Sequence, residues 1–354
     1  MRSQQTSPAA ISLRRLAAFI ITMALIFFTA VGCGARAADH EQIDPEQRIV
    51  VKFSHVVAEN TPKGRAAKRF AWLVQERTAG RVEVQVYANS TLFKDGEEVA
   101  ALRENKVQFI APAIAKMADA FPQLHFFQLP FIFENSDQVH DLIDSDAGQH
   151  LMEATGDEDL LALSMWDNGF KQFTSNMPLQ ALEDFRGATF RIMPSAVLRA
   201  QFERLGAGYL ELPFSEVYGA MEAKRVDGGE NTFSNIYTKG FYRVQEHLTV
   251  SNHGYLGYVV LTNREFWEGL PADIRAILAT TLAEVSAWEQ EQAVMQNQEA
   301  YLQLRNLNQC EIYELPASER ERWQRFLQPL YQSFRDDVGA ELFDELLAIT
   351  EGGG

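Results

Sequence analysis

The chain has 354 residues, 46% of them hydrophobic, which is enough for one large or two ordinary domains. Its 32 lysines and arginines face 48 aspartates and glutamates, so the formal net charge is −16 at pH 7. A nucleic-acid-binding protein needs a basic face, so this balance argues against nucleic acid as a partner. An acidic surface repels anions at long range, and an anion site here must rely on local positive charge.

The N-terminal segment is predicted to be an export signal. Two arginines precede the apolar run 16–31, and a small-x-small cleavage site at 35–37 predicts a signal peptide over residues 1–37. The expected product is a soluble periplasmic protein. The sequence also resembles a lipoprotein cleavage box before Cys33, so a lipid anchor at Cys33 remains the alternative.

The following part of the chain alternates strand-like and helix-like patterns. Predicted strands cover 49–54, 81–87 and 107–111, and predicted helices cover 62–78, 96–105 and 136–143. Strands separated by helices imply parallel sheets. A second set of α/β units is predicted between Gly169 and Gly254.

Within that second set, Arg191 stands between two apolar residues of a predicted strand, 188–193. A helix over 196–205 follows, with Ser195 as N-cap and Gly206 as the C-terminal stop. Strand ends and helix N-termini favour anions, and a guanidinium matches a carboxylate with two parallel hydrogen bonds. From this segment alone, a buried ion pair within the protein explains Arg191 equally well.

The C-terminal third begins with a predicted strand, 255–262, followed by a helix from residue 271 to about residue 306. This helix is longer than most globular helices and is long enough to brace two lobes. Cys310 opens a strand candidate, 310–315, and is predicted to be a lone core thiol.

Sequence signatures of enzymes are weak. The chain has no G-x-S-x-G motif, no P-loop lysine and no H-E-x-x-H helix, and its seven histidines lack metal-ligand spacing. We therefore predict no catalytic residue, no metal and no cofactor. Catalysis remains the second class of function, and it would need an acid and base pair in a cleft.

Several collinear strings together identify a family. They are FSHVVAENTPKGRAAKRF at 53–70, VQFIAPAIAK at 107–116, LPFIF at 129–133, NGFKQFTSN at 168–176, FRGATFRIMPS at 185–195, PFSEVYGAM at 213–221, DGGENTFSNIYTKGFYRVQEHLTVSNHG at 227–254 and TNREFWEGLPADIR at 262–275. In this order and spacing they resemble the solute-binding proteins of tripartite ATP-independent periplasmic (TRAP) transporters, the DctP family. The resemblance covers nearly all of the chain beyond the export signal.

The resemblance implies a type II periplasmic binding protein fold of the α/β class. It has two discontinuous α/β domains, a central ligand cleft, and a long helix spanning both. Domain I is expected to comprise residues 46–167 and 257–296, and domain II residues 168–256 and 297–350.

The resemblance also implies the binding residues. Arg191 matches the arginine that clamps a ligand carboxylate, Asn231 matches an asparagine that hydrogen-bonds the same ligand, and Phe214 matches an aromatic residue of the cleft. Lys171 stands where this family has a second cation, and lysine there resembles the C4-dicarboxylate branch. Lys116 matches a cation from the first domain, with a solvated lysine as the alternative. Asn235, Tyr237 and His55 are expected to line the site.

These matches imply a monomeric protein that captures a small organic acid anion, foremost a C4-dicarboxylate, and delivers it to the small and large membrane subunits of a TRAP transporter. Positive charge at Arg191, Lys171 and Lys116 favours a dianion over a monoacid. A sugar acid or a 2-oxo acid remains an alternative ligand. A periplasmic sensor component and an enzyme remain alternatives of another class.

Overall fold

The computed structural model describes residues 48–352. Nine strands in this range form one mixed sheet with helices packed on it. The strands are β1 (Ile49–Ser54), β2 (Val82–Tyr87), β3 (Phe109–Ile110), β4 (Leu160–Ser175), β5 (Thr189–Ile192), β6 (Gly208–Glu211), β7 (Gly228–Asn231), β8 (His247–Asn263) and β9 (Glu311–Glu314). Their order is β2-β1-β3-β8-β4-β7-β5-β6, and β9 also pairs with β8.

Thirteen α-helices occur in the same described range. They are α1 (Pro62–Arg77), α2 (Glu98–Arg103), α3 (Ile114–Met117), α4 (Ser136–Asp144), α5 (Asp146–Ala154), α6 (Ala196–Leu205), α7 (Val217–Glu222), α8 (Phe233–Lys239), α9 (Arg264–Gly269), α10 (Ala272–Leu307), α11 (Ala317–Leu327), α12 (Pro329–Val338) and α13 (Ala340–Gly352). The cleavage site and Cys33 lie outside the described residues.

The two long strands β4 and β8 form an antiparallel pair at the centre of the sheet. One end of β8 pairs with β3, and β1 and β2 extend the sheet there in parallel. The other end of the pair carries β7, β5 and β6 on β4, and β9 on β8. The prediction of parallel sheets therefore holds only in part. Parallel strands form both wings, but the connection between the wings is antiparallel.

The pairing of β4 with β8 is interrupted near its middle. The register shifts between Asp167 and Gly169, opposite Gly257 and Leu256, and Gly169 has a φ of +113°. A side chain at position 169 would meet Asn297 of α10 at 3.0 Å. Glycine is required here because the backbone adopts positive φ and approaches the helix closely.

Helix α10 has 36 residues and packs along β4, α1 and α8. Ser286 accepts a hydrogen bond from the indole of Trp166 over 2.8 Å. Eleven residues later, Asn297 donates to the backbone oxygen of Asn168 and accepts from the backbone N–H of Ser234 over 3.0 Å. The predicted long helix is thus confirmed, and it bonds β4 at Trp166, just before the bulge, and at Asn168 within it.

Local capping chemistry sets the helix that follows β5. The hydroxyl of Ser195 accepts from the backbone N–H of Leu198, and Gly206 ends α6 in the left-handed conformation with φ of +73°. Both sequence-based predictions are confirmed.

Aromatic residues of both wings belong to one hydrophobic core. Phe53 stacks on Trp166 in the first wing, with ring centroids 5.6 Å apart, whereas Trp323 packs edge-on against Phe185 in the second at 5.2 Å. Cys310 is a buried free thiol, as predicted, and burial raises its pKa.

Candidate functional site

Arg191 lies buried near the carboxyl end of β5, where its backbone pairs with Gly229 of β7. The side chain is 2% exposed, and Nε and Nη2 donate to the backbone oxygen of Leu212 over 3.1 and 2.7 Å. Burial lowers its pKa to about 10, so the guanidinium is charged at neutral pH. None of the ion pairs formed within residues 48–352 includes Arg191. Its hydrogen bonds within the described residues go to one backbone carbonyl, while the charges of Asp95 and Glu230 act on it without a direct ion pair.

Two buried amides stand beside this arginine. Asn231 lies two residues beyond Gly229, the residue that pairs with Arg191, and its Oδ1 accepts from Nδ2 of Asn235 over 2.8 Å. Oδ1 of Asn235 is buried without a hydrogen-bond partner among the described residues. Leaving a buried acceptor unpaired costs about 1–3 kcal/mol, so this oxygen is available to a donor on a bound molecule.

A cavity of about 480 Å³ lies beside Leu212, and Arg191 itself is not one of its wall residues. Its volume falls in the range typical of small-molecule sites, roughly 300–1,000 Å³. Leu212, whose carbonyl holds Arg191, is part of the wall. Further wall residues come from three other segments, and they include Asp95, Glu98, Pro112, Lys116 and Pro194.

Lys116 faces this cavity and forms an ion pair with Asp95, the two side chains being 13% and 5% exposed. Burial by itself would raise the pKa of Asp95, but the Lys116 charge, together with hydrogen bonds from Lys116 and the Phe214 backbone, lowers it below its usual value. The same carboxylate accepts from the backbone N–H of Phe214, whose ring is buried. The structure thus places Lys116 and Phe214 together, although the charge of Lys116 is largely compensated.

His55 follows β1 directly and is fully buried. Neither ring nitrogen has a hydrogen-bond partner in the described part of the chain. Burial, together with the nearby charge of Lys63, lowers the pKa of His55 to about 3, so the imidazole is neutral at physiological pH. A neutral imidazole presents one donor and one acceptor to any molecule beside it.

Lys171 lies on β4 with its charge matched inside the protein. Its Nζ donates to Glu230 over 2.6 Å, and His253 contacts the other oxygen of the same carboxylate at 2.9 Å. Burial alone would raise the pKa of Glu230, but Lys171 and His253 together lower it to about 2. That Lys171 contacts a ligand stays a prediction, since the structure shows it in an ion pair.

Tyr237 occupies a different place. Its ring stacks on Tyr242, with centroids 6.0 Å apart, and it lines a second, smaller cavity of about 180 Å³ with Asn60, Arg65 and Gln296. The structure therefore does not bring Tyr237 to the cavity of Lys116.

Lys63 is a buried cation within the motif at 53–70 that was not predicted to be a site residue. It is 1% exposed, its Nζ donates to the backbone oxygen of Ala111 over 2.7 Å, and it lies 3.6 Å from the ring centre of Tyr258. The Tyr258 hydroxyl in turn accepts from Asn168. A signal was present in the sequence, because lysine directly after Thr-Pro places a cation in the first turn of a helix.

Two further observations bear on the kind of site. In residues 48–352, no group of three or more histidine, cysteine, aspartate or glutamate side chains is arranged to hold a metal ion. No helix of that range combines the length and the apolar character needed to cross a bilayer.

The chain matches known proteins over most of its length. The family description DctP, bacterial extracellular solute-binding protein, family 7, matches residues 53–337. A C4-dicarboxylate-binding periplasmic protein DctP of Rhodobacter capsulatus is 42% identical over 303 residues, covering 85% of this chain and 91% of the relative.

Solved structures agree with this match. A TRAP periplasmic solute-binding protein from Shewanella oneidensis with bound succinate is 40% identical with a TM-score of 0.84, covering 86% of this chain and 99% of that one. One from Pseudomonas aeruginosa PAO1 with bound L-malate is 38% identical with a TM-score of 0.79, covering 80% and 99%.

The fold and its match to solved solute-binding proteins define a periplasmic solute-binding protein, and the predicted fold class is confirmed. The chain belongs to the bacterial extracellular solute-binding proteins of family 7, the DctP family. Members of this family bind small organic acids for TRAP transporters and work with membrane permease subunits. The prediction of a binding role rather than an enzymatic one is confirmed by this membership.

Proposed function

We propose that this protein captures a C4-dicarboxylate in the cavity between Lys116 and Leu212 and delivers it to the membrane subunits of a TRAP transporter. The observation that carries the proposal is Arg191, a fully charged and buried guanidinium without a carboxylate partner among the described residues. Burying an uncompensated charge is costly, and a ligand carboxylate would compensate it. C4-dicarboxylate binding by the Rhodobacter protein, bound succinate in the Shewanella protein and bound L-malate in the Pseudomonas protein support this ligand class.

The roles of the other residues follow from their positions. One carboxylate would bond Arg191 through its free Nη1, which none of the hydrogen bonds within residues 48–352 uses. Asn231 and Asn235 would bond the same end of the ligand, and Phe214 would exclude water from it. His55 would bond a polar group elsewhere on the ligand, because its two buried ring nitrogens have no hydrogen-bond partner among the described residues.

The predicted domain division is part of this proposal. Domain I would comprise 46–167 and 257–296, and domain II 168–256 and 297–350. The boundaries at 167 and 257 fall at the β-bulge, and the boundary at 297 falls on the asparagine that bonds the bulge. Ligand contact with both domains would shift the population toward a closed form that the membrane subunits recognise.

Export, anchoring and oligomeric state also belong to the proposal. The arginines and apolar run before residue 32 support removal of 1–37 as a signal peptide, with lipidation of Cys33 as the alternative. We propose a monomer that needs no cofactor.

The test is a melting-temperature screen of the purified protein against succinate, malate, fumarate, 2-oxo acids, sugar acids and neutral sugars. A ligand of the folded state stabilises it by RT ln(1 + [L]/Kd), about 4 kcal/mol at a thousandfold excess over Kd. Shifts confined to the C4 diacids are expected. Shifts only with sugar acids would overturn the ligand class, and no shift with any acid would overturn the binding proposal and favour a sensor or an enzyme.

A further inference from the structure

A third cavity, of about 420 Å³, lies on the surface of the wing that carries β5. Four of its nine wall residues are arginines and one is acidic, whereas the whole chain has 48 acidic residues against 32 basic ones. We call it the arginine pocket, and its arginines are Arg186, Arg204, Arg322 and Arg325. An acidic protein has here concentrated positive charge around one cavity, and such a local field attracts anions.

The arginine pocket is separate from the site of Arg191. Arg186 precedes β5, whereas Arg191 lies near the carboxyl end of that strand. Arg204 lies at the C-terminal end of α6, a helix of 10 residues and therefore about 15 Å long. Pro194, a wall residue of the 480 Å³ cavity, lies just before the other end of α6. The two cavities share no wall residue, so they can take different ligands.

Two of the four arginines form ion pairs at the surface. Arg322 pairs with Glu183, the single acidic wall residue, over 2.5 Å, and it also contacts Glu319 over 3.4 Å. Arg325 pairs with Glu321 over 3.5 Å, and both of these side chains are exposed. Exposed ion pairs contribute little to stability, about 0–1 kcal/mol, so a stronger anion can compete for these guanidinium groups.

The other two arginines have no carboxylate partner. No ion pair in the described part of the chain includes Arg186 or Arg204. Nε of Arg204 donates to the backbone oxygen of Phe326 over 2.5 Å, and its guanidinium lies 4.8 Å from the centre of the Phe326 ring. Neither Nη atom of Arg204 donates to another residue of the range 48–352. Arg204 is thus held in place with both Nη atoms free to bind an anion.

Helix ends explain part of this arrangement. Arg204 lies in the last turn of α6 and Arg325 in the last turn of α11, where a cation is favourable because the helix dipole is negative there. Arg186 lies outside both helices, in the turn before β5. The helix dipoles therefore account for two arginines individually, but they do not account for the convergence of four on one cavity.

We propose that the arginine pocket binds a phosphate-bearing anion, either free in solution or as the head group of an anionic phospholipid. A guanidinium matches phosphate oxygens with two parallel hydrogen bonds. Arg186 and Arg204 hold the phosphate, Arg322 and Arg325 add positive charge around it, and the Phe326 ring packs against the group that carries it. The pocket gives an otherwise acidic protein a defined place for an anion that its net charge repels elsewhere.

The experiment has a soluble arm and a membrane arm, both at low salt because salt screens exposed charges. Calorimetry measures binding of pyrophosphate to the purified protein, with an expected Kd of about 1 mM or tighter. Sedimentation measures binding to vesicles of phosphatidylcholine with about one third phosphatidylglycerol. Pyrophosphate binding without vesicle binding identifies a free phosphate as the source, and vesicle binding without pyrophosphate binding identifies a lipid head group.

The test variant is Arg186→Gln with Arg204→Gln. It should weaken binding of whichever probe the wild-type protein binds by at least about tenfold. Arg325→Gln, which removes a single weakly paired charge, should weaken the same binding by about twofold to threefold. The matched control is Arg225→Gln with Arg305→Gln, which removes two charges from exposed positions outside the pocket and should change binding by less than about twofold.

Three results would overturn the proposal. The first is that the wild-type protein binds neither pyrophosphate nor the anionic vesicles. The second is an equal loss of binding in the pocket variant and the control variant, because net charge alone would then explain it. The third is unchanged binding in a folded pocket variant, as judged by its thermal melt. The pocket variant should bind succinate as the wild-type protein does, so the outcome is independent of the proposed function.

Discussion

Lys171 and Glu230 form an ion pair of 2.6 Å in which both side chains are 1% exposed. The pair links β4 to β7, although the two residues are 59 positions apart in the chain. Removing one partner of such a pair leaves the other charge buried and unpaired. Lys171→Met should therefore destabilise the protein by about 3–5 kcal/mol in urea unfolding.

The double variant Lys171→Met with Glu230→Gln is expected to recover part of that loss, because neither charge then remains alone. Succinate affinity measured on the double variant tests the sequence-based prediction that Lys171 contacts the ligand. Affinity within threefold of wild type would speak against that contact.

Arg191→Ala should abolish measurable binding of succinate without unfolding the protein. The arginine carries the only uncompensated guanidinium among the buried residues described, and its loss removes the charge that would hold a carboxylate. Calorimetry measures the affinity, and a thermal melt confirms folding. Arg186→Ala, five residues earlier and exposed, is the matched control. Retention of affinity within tenfold would contradict the clamp role.

The pH dependence of stability should report His55. Burial and the Lys63 charge lower its folded pKa to about 3, against 6.5 as its ordinary value. Between these values the unfolded chain holds a proton that the folded chain lacks, so stability rises as pH increases from about 3 to 6.5.

One such group changes the free energy of unfolding by up to about 1.4 kcal/mol per pH unit. His55→Gln should reduce the difference in stability between pH 4.5 and pH 6.5, measured by urea unfolding, whereas His150→Gln, at an exposed position, should not. If His55→Gln shows the same difference in stability between pH 4.5 and pH 6.5 as the wild-type protein, the His55 ring is protonated in the folded wild-type protein.

The empty protein should become more stable when the Lys63 charge is removed. The folded pKa of Lys63, about 7, lies below its ordinary 10.5, so the unfolded chain binds the extra proton between these values and stability rises with pH there. The cost of the buried cation is thus largest below pH 7. Lys63→Met should raise the melting temperature at pH 6.5 by more than at pH 10, with Lys68→Met as control; a lower melting temperature at pH 6.5 would refute the argument.

Asn297 should matter for the integrity of the bulge. Its side chain bonds the Asn168 carbonyl and the Ser234 N–H, so Asn297→Ala leaves two backbone groups without their partner. We expect a loss of about 1–3 kcal/mol in urea unfolding. The exposed neighbour Gln298 provides the control, since Gln298→Ala should cost less than about 0.5 kcal/mol. Equal effects of the two changes would mean that these bonds contribute nothing specific.

Features set by neighbouring residues were predictable from the sequence. Ser195 and Gly206 cap α6 as expected, because capping depends on chemistry within one turn. The long strand β4 was missed because register shifts break its alternation of buried and exposed positions. That alternation is the signal that identifies a strand.

The interaction partners of the candidate site residues were harder to predict from the sequence. The sequence predicted that Lys171 and Arg191 belong to one site. It could not reveal that Lys171 forms an ion pair with Glu230. Lys63 went unnoticed because a lysine on an amphipathic helix is ordinarily solvated, and only the fold buries it beneath Tyr258. Tyr237 shares a helix with the buried Asn235 but lines a cavity other than that of Lys116, because residues two positions apart on a helix face different directions.

The late position of β9 and α11 in the chain constrains when the arginine-bearing wing can be completed. Strand β9 pairs with the start of β8, and Trp323 of α11 fills the core against Phe173 and Phe185. These contacts join segments separated by more than 60 and more than 130 positions, respectively. A chain still being synthesised therefore lacks this core until nearly all of it has emerged, and such non-local closure favours slow, late folding. Late folding is useful for an exported protein, because a chain that is still unfolded can pass through a translocation channel.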